Sequence, residues 1–253
     1  MAARKFYLPD KADILTTIKP AAPSKKKGVA AAAAAKAAPA FKIIRTKILD
    51  PYETEFPTNV IKAMTVVAAA AAISDNFAGT ARRAAKLSIA PGRVEPFDGT
   101  GDLLDTLPSH KAMKALHIST AASSNRVKEE KKNVGFDAWL YAASREADNN
   151  FHLILGGDPD SGDDPRFMNA EVSGLPPDDP PRAQFQDVRD SFASIVTTTP
   201  GIGYDFYDPP IPVSVEGSLF WDASHATGAR PGPPSAKPKT VWEVHAITSI
   251  QAR

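Results

Sequence analysis

Between residues 133 and 253, apolar and polar side chains alternate with a period of two in five separate stretches: Val134–Ala142, Phe151–Gly156, Phe167–Val172, Val213–Asp222 and Val241–Ile250. That is the period of a half-buried strand. In the first stretch Val134, Phe136, Ala138 and Leu140 share one face, against Gly135, Asp137, Trp139 and Tyr141. In the second, Phe151, Leu153 and Leu155 oppose His152 and Ile154. In the fourth, Val213, Val215, Leu219 and Trp221 share a side, and Gly217 marks a bend or bulge. Between the third and fourth stretches the period lengthens. Phe185, Val188, Phe192 and Ile195 recur at helical spacing over Arg182–Val196, after Pro180-Pro181 and with Asp179 as cap. Three strands, a helix and two strands predict a mainly β (α+β) fold. The specific expectation is an OB-like five-stranded Greek-key barrel over 133–253, with the helix between strands 3 and 4 closing its bottom and the ligand pole at the first and last hairpin loops.

The preceding chain divides in two. Residues 1–47 read as a flexible arm rich in Ala, Lys and Pro, which buries too little apolar area to offset chain entropy. Within it Phe41–Leu49 fits a strand or an amphipathic strip. Residues 48–132 read as a helical region and linker. Asn59–Ile73 is the first helix, capped by Thr58, and Asn76–Lys86 continues as a second. Leu103–Leu107 and Lys111–Leu116 are short helices split by Pro108, and the Ser- and Lys-rich Ala121–Lys132 is the linker.

Charge sharpens that division. Residues 1–47 hold 11 of the 30 basic side chains and 2 of the 29 acidic ones, a net of +9 that leaves −8 on the rest of the chain. A basic segment beside an acidic body points to an anionic partner for the segment, or to a tail folding back on its own body. Cysteine is absent, which excludes a disulfide framework and thiol chemistry. The opening MAARKFYLPDKADIL has no apolar core of signal-peptide length, and the apolar run Val66–Ile73 is too short to span a bilayer. A cytoplasmic protein without a membrane partner is the expectation.

The candidate chemistry lies at the expected pole. There His152, Asp222, His225 and Glu243 should converge, with Arg145, Glu146 and Asp148 above them and His245 about 7 Å further along its strand. Histidines with carboxylates hold a divalent metal or run general acid–base chemistry, and equally serve as hydrogen-bonded rim residues. A different reading groups Trp139, Tyr141 and Phe220 with Arg145, Arg230, Lys237 and Lys239 as a stacking platform with a basic rim for single-stranded nucleic acid. Against it, residues 133–253 carry 17 acidic and 8 basic groups, which repel a polyanion. The acidic loop Asp158–Asp164 does not follow the EF-hand order.

READNNFHLILG (145–156), AEVSGLPP (170–177), YDFYDPPIPVSVEGSLFWDASHATGARPGP (204–233) and TVWEVHAITSI (240–250) resemble a family of uncharacterised bacterial proteins with a C-terminal OB-like β-barrel. Its members carry a similar FHL strand, a G-x-LF-x-D-x-x-H segment and a closing W-E-x-H strand. Ala246 departs from the family, which has Pro after that His. The resemblance spans about residues 40–253. It implies the domain limits and no activity. The sequence thus supports a nucleic-acid or polyanion binding module using the basic arm and the loop pole. Its alternatives are a metal-assisted, phosphodiesterase-like hydrolase at the same pole, and a structural protein that self-associates or binds a protein partner through the arm.

Overall fold

Each of the five alternating stretches forms a strand in the computed structural model, which describes residues 6–20, 41–50, 74–178 and 181–253. The described residues form eight strands: β1 (Ile14–Ile18), β2 (Lys42–Thr46), β3 (Val94–Phe97), β4 (Asn133–Arg145), β5 (Phe151–Gly156), β6 (Met168–Val172), β7 (Asp205–Trp221) and β8 (Trp242–Ala252). They run in the order β1-β2-β7-β8-β6-β5-β4-β3. A further antiparallel pairing of β4 with β7 closes the central five into a barrel. Its ladders are antiparallel except between β6 and β8, which are parallel. The protein is mainly β. Four helices lie among the described residues: α1 (Arg83–Lys86), α2 (Thr100–Thr106), α3 (His110–Lys114) and α4 (Pro181–Val196).

The interior of the barrel takes one side of each strand. Phe136 and Leu140 from β4, Leu153 and Leu155 from β5, Met168 and Ala170 from β6, Leu219 from β7, and Val244 and Ile247 from β8 belong to one buried cluster. Val188, Phe192, Ile195 and Val196 of α4 join it. Each large apolar side chain of this kind contributes about 1.5–3 kcal/mol through burial.

Two strands exceed the expected lengths, for local reasons. The ladder shifts between Leu140 and Ala142, so the apolar phase of β4 changes there and the strand runs on to Arg145. In β7, Pro209 and Pro210 fall where the pairing with β4 is interrupted, between Phe206 and Ile211. They therefore break no bond of that ladder, and the strand begins at Asp205. The Asp208–Pro209 and His245–Ala246 peptides are cis.

The described residues before the barrel are built onto it. The arm expected over 1–47 contains β1 and β2, and β2 pairs with the first residues of β7. The region 48–132 supplies β3, which pairs parallel with β4. Within Asn76–Lys86 only Arg83–Lys86 is helical. The stretch Ala121–Lys132, expected as a linker, is packed on the barrel. Arg126 donates to the carbonyls of Leu219 (2.6 Å) and Ser88 (2.7 Å), and Glu130 forms a fully buried ion pair with Arg82 (2.6 Å). Residues 21–40, the helix expected over Asn59–Ile73 with its Thr58 cap, and the Asp179 cap lie outside the described residues. No helix among the described residues is long and apolar enough to cross a membrane.

Candidate functional site

The side chains of β5, β6 and β8 that point away from the barrel interior carry an unusual load of ionisable groups. His152 stands directly opposite Glu171 in the β5–β6 ladder, and Asn169 stands opposite Glu243 in the β6–β8 ladder. Two residues further along the same parallel register, Glu171 comes beside His245. Glu146, His152 and Glu171 each present a ligand atom within 4.8 Å of the others, and so do Glu171, Glu243 and His245. Glu171 is common to both groups.

The site therefore lies on the flank of the barrel, which corrects the expected pole. Asn133 at the start of β4 pairs with Ser218 near the end of β7, while Arg145 at the other end of β4 pairs with Phe151. The β4–β5 and β7–β8 loops thus leave opposite ends of β4. What unites the residues is the pleat, which aligns the outward side chains of neighbouring strands.

Segments on either side bury this flank. Residues 74–90 run over β6. Phe77 donates its N–H to Leu175 (2.8 Å), Leu175 donates to Asp75 (2.7 Å), and the Asp75 carboxylate binds Arg189 (2.6 Å) and Arg145 (3.2 Å). This course delivers Lys86 of α1 to the cluster, 3.7 Å from Asp148. The turn after β4 supplies the other side. Asn149 takes a left-handed backbone (φ 70°), and Asp148 accepts from the Asn150 N–H (3.1 Å), holding Glu146 and Asp148 at the rim.

The electrostatics follow from this crowding. Burial opposes charge on Lys86, but Asp148, Asp222, Glu171 and Glu243 outweigh it and hold its pKa above the ordinary lysine value. Burial likewise opposes charge on His152. The Glu146 carboxylate, 2.7 Å from Nδ1, and Asp50 win, and the pKa is raised to about 10. His245 goes the other way. Burial, then Lys86 and Arg126, push it well below the usual histidine value, so the ring is neutral. Its Nδ1 lies 3.2 Å from Glu243 Oε1, and its Nε2 is buried without a hydrogen-bond partner. Glu171 and Glu243 are raised well above the ordinary carboxyl value. Burial is the largest cause for both, reinforced by Glu146 and Glu243 around Glu171 and by Asp222 around Glu243. The Oε2 of Glu171 also has no hydrogen-bond partner.

Asp222 and His225 form an adjoining pair. Asp222 Oδ1 accepts the N–H groups of Ser224 (3.0 Å) and His225 (3.3 Å), and this turn sets His225 Nδ1 2.5 Å from Oδ2. Burial raises the Asp222 pKa, but the interactions with His225 and the charge of Lys86 hold it below the usual carboxylate range. The His225 side chain is 23 % exposed, whereas those of His152 and His245 are buried.

The structure thus brings together His152, Glu243 and His245, with Asp222 and His225 beside them. Glu171 and Lys86 are the members that sequence reasoning passed over. Glu171 carried a signal, being a carboxylate between Ala170 and Val172 on a strand whose other face is apolar. Lys86 carried none, because only the course of residues 74–90 brings it there.

The expected stacking platform is not formed. Tyr141 and Phe220 are wholly buried, so neither presents a face to a base. Tyr141 donates to the Gly157 carbonyl (2.7 Å) and packs edge-on to Tyr7 and Phe167, whereas Phe220 sits against His245 beneath Arg82. Trp139 is half-buried under Arg253, and Arg145 is buried on Asp75. Arg230, Lys237 and Lys239 are exposed on the β7–β8 loop, where Lys239 pairs with Asp164 (2.6 Å).

Comparison with protein-family models, with curated proteins and with solved structures finds no match.

Proposed function

We propose that the protein is a metal-assisted hydrolase of phosphodiesters, built on the flank of an OB-like Greek-key barrel whose α4 lies between its third and fourth strands. The observation that carries this reading is the Glu171–Glu243–His245 group. It combines three ligand atoms within 4.8 Å, a neutral imidazole, and unpartnered buried atoms on Glu171 and His245. Carboxylate oxygens with an imidazole nitrogen suit a divalent transition-metal ion. Such a cation polarises a phosphoryl oxygen and lowers the pKa of bound water.

The other residues have roles that fit. Lys86 supplies a fixed positive charge beside the carboxylates. His225, oriented by Asp222 and partly exposed, has the arrangement of a general acid–base. Water adds to phosphorus as its proton passes to His225. The bond to the leaving oxygen breaks, and that oxygen takes the proton. The net +9 of residues 1–47 supports a polyanion such as nucleic acid as the substrate, drawn by the basic segment to an otherwise acidic surface. A cytoplasmic setting accords with the cysteine-free sequence.

The test is hydrolysis of bis(p-nitrophenyl) phosphate by full-length protein, stripped with chelator and then resupplied with Mn²⁺ or Zn²⁺. Activity should appear only with metal, and should fall at least 100-fold in His245→Ala and in His225→Ala. Undiminished activity after chelation would overturn the metal-assisted reading. Absence of both bound metal and activity would leave a structural or protein-interaction role.

A further inference from the structure

We propose that the cluster is built for two divalent cations bridged by Glu171, an inference that rests on reading the flank as a cation centre. The Glu146–His152–Glu171 group and the Glu171–Glu243–His245 group are each tight enough to hold an ion, and Glu171 belongs to both. The topology makes this so. β6 lies between β5 and β8, and each neighbour contributes one histidine to the same face, with Glu171 between them.

The two oxygens of Glu171 differ in their surroundings. Oε1 is 3.7 Å from His152 Nδ1, while Oε2 is buried with no hydrogen-bond partner. One oxygen that faces the His152 side and one without a partner is the disposition a bridging carboxylate needs. Two cations so bridged sit about 3.5–4 Å apart, the separation at which hydrolytic two-metal sites hold the attacking and leaving oxygens together.

The experiment is metal stoichiometry on chelator-stripped full-length protein, by equilibrium dialysis against Mn²⁺ with elemental analysis. Two Mn²⁺ per chain are expected in the parent protein, with an electron paramagnetic resonance spectrum showing exchange coupling. His152→Ala and His245→Ala should each retain one ion and lose the coupling, and Glu171→Gln should weaken both sites at least tenfold. Glu146→Gln, at the rim, reports on the same half as His152→Ala if that variant fails to fold. One Mn²⁺ in the parent protein, or two retained in Glu146→Gln, overturns the bridged pair and leaves the single-cation reading standing. None in the parent protein overturns both.

Discussion

At the residue scale the decisive feature is a carboxyl that is buried, raised in pKa and short of partners. Burial and its acidic neighbours raise the Glu171 pKa and so favour its protonated form, and a dication is the natural replacement for that proton. Glu171→Gln keeps the size of the side chain and removes its capacity for charge. In metal-free protein this change should leave thermal stability unchanged or raise it, while the stabilisation by added Mn²⁺ disappears. Thermal melts with and without metal check both halves.

The sign of the pH dependence follows from the same groups. Glu171 and Glu243 have folded pKa values above the ordinary 4.5, and His152 has one of about 10 against 6.5. Each contributes stability that is present below its unfolded value and lost as pH rises through its folded one. His245 is depressed, so its contribution is complete above 6.5 and lost as pH falls below it. Between pH 4.5 and 6.5 these effects oppose each other, whereas from 6.5 to 10 the remaining ones share a sign. Metal-free protein should therefore lose stability steadily over pH 6.5–10, and His152→Asn should flatten part of that slope. Chelated samples melted across this range give the comparison, and a flat profile in the parent protein would contradict the assignment.

At the scale of elements, the flank depends on segments that the barrel does not itself contain. Arg82 donates to both oxygens of Glu130 (2.6 and 2.8 Å) and to the Trp221 carbonyl (3.0 Å), and Glu130 accepts the N–H of Trp221 (2.9 Å) and of Val127 (2.8 Å). This buried network pins the segments before β4 to the end of β7. Glu130→Ala should cost about 3–5 kcal/mol, since it strands a buried guanidinium, and denaturant unfolding measures it. Gly174 makes a second close approach of this kind. A Cβ there would lie 2.8 Å from the Phe77 Cα, so Gly174→Ala must push residues 74–90 off β6. We expect a destabilisation of about 1–3 kcal/mol, together with weaker metal binding because Lys86 and Asp75 shift with the segment.

Elements also show what could be read from the chain alone. The five barrel strands were legible because their interior is apolar and their period is two. The site was legible in part, as His152, Asp222, His225, Glu243 and His245 stand on or beside those strands. Its location was not, because placing it at a pole ignored the ladder that sets the β4–β5 and β7–β8 loops at opposite ends of β4. The extensions of β4 and β7 were hidden by a phase change at Leu140–Ala142 and by prolines that fall in a gap of the β4 ladder. The wrapping of residues 74–130 was hidden as well, since it rests on pairings distant in sequence, such as Arg126 with Leu219.

At the scale of the whole molecule, charge is segregated, with a basic amino-terminal segment preceding an acidic barrel. If the segment recruits a polyanion to the proposed metal centre, Lys25→Ala, Lys26→Ala and Lys27→Ala together should weaken binding of a labelled oligonucleotide. The salt dependence should become shallower, by about 0.7–0.9 in log–log slope for each phosphate no longer neutralised. Anisotropy at two salt concentrations reads this directly, and these substitutions spare β1 and β2, which truncation at residue 48 would remove.

Anomalous diffraction from crystals soaked in Mn²⁺ is the decisive test of whether the flank of this barrel holds a metal. Anomalous density bounded by Glu171, Glu243 and His245 is the expected result. A cluster free of such density, with the ammonium of Lys86 seated among the carboxylates at saturating Mn²⁺, would contradict it.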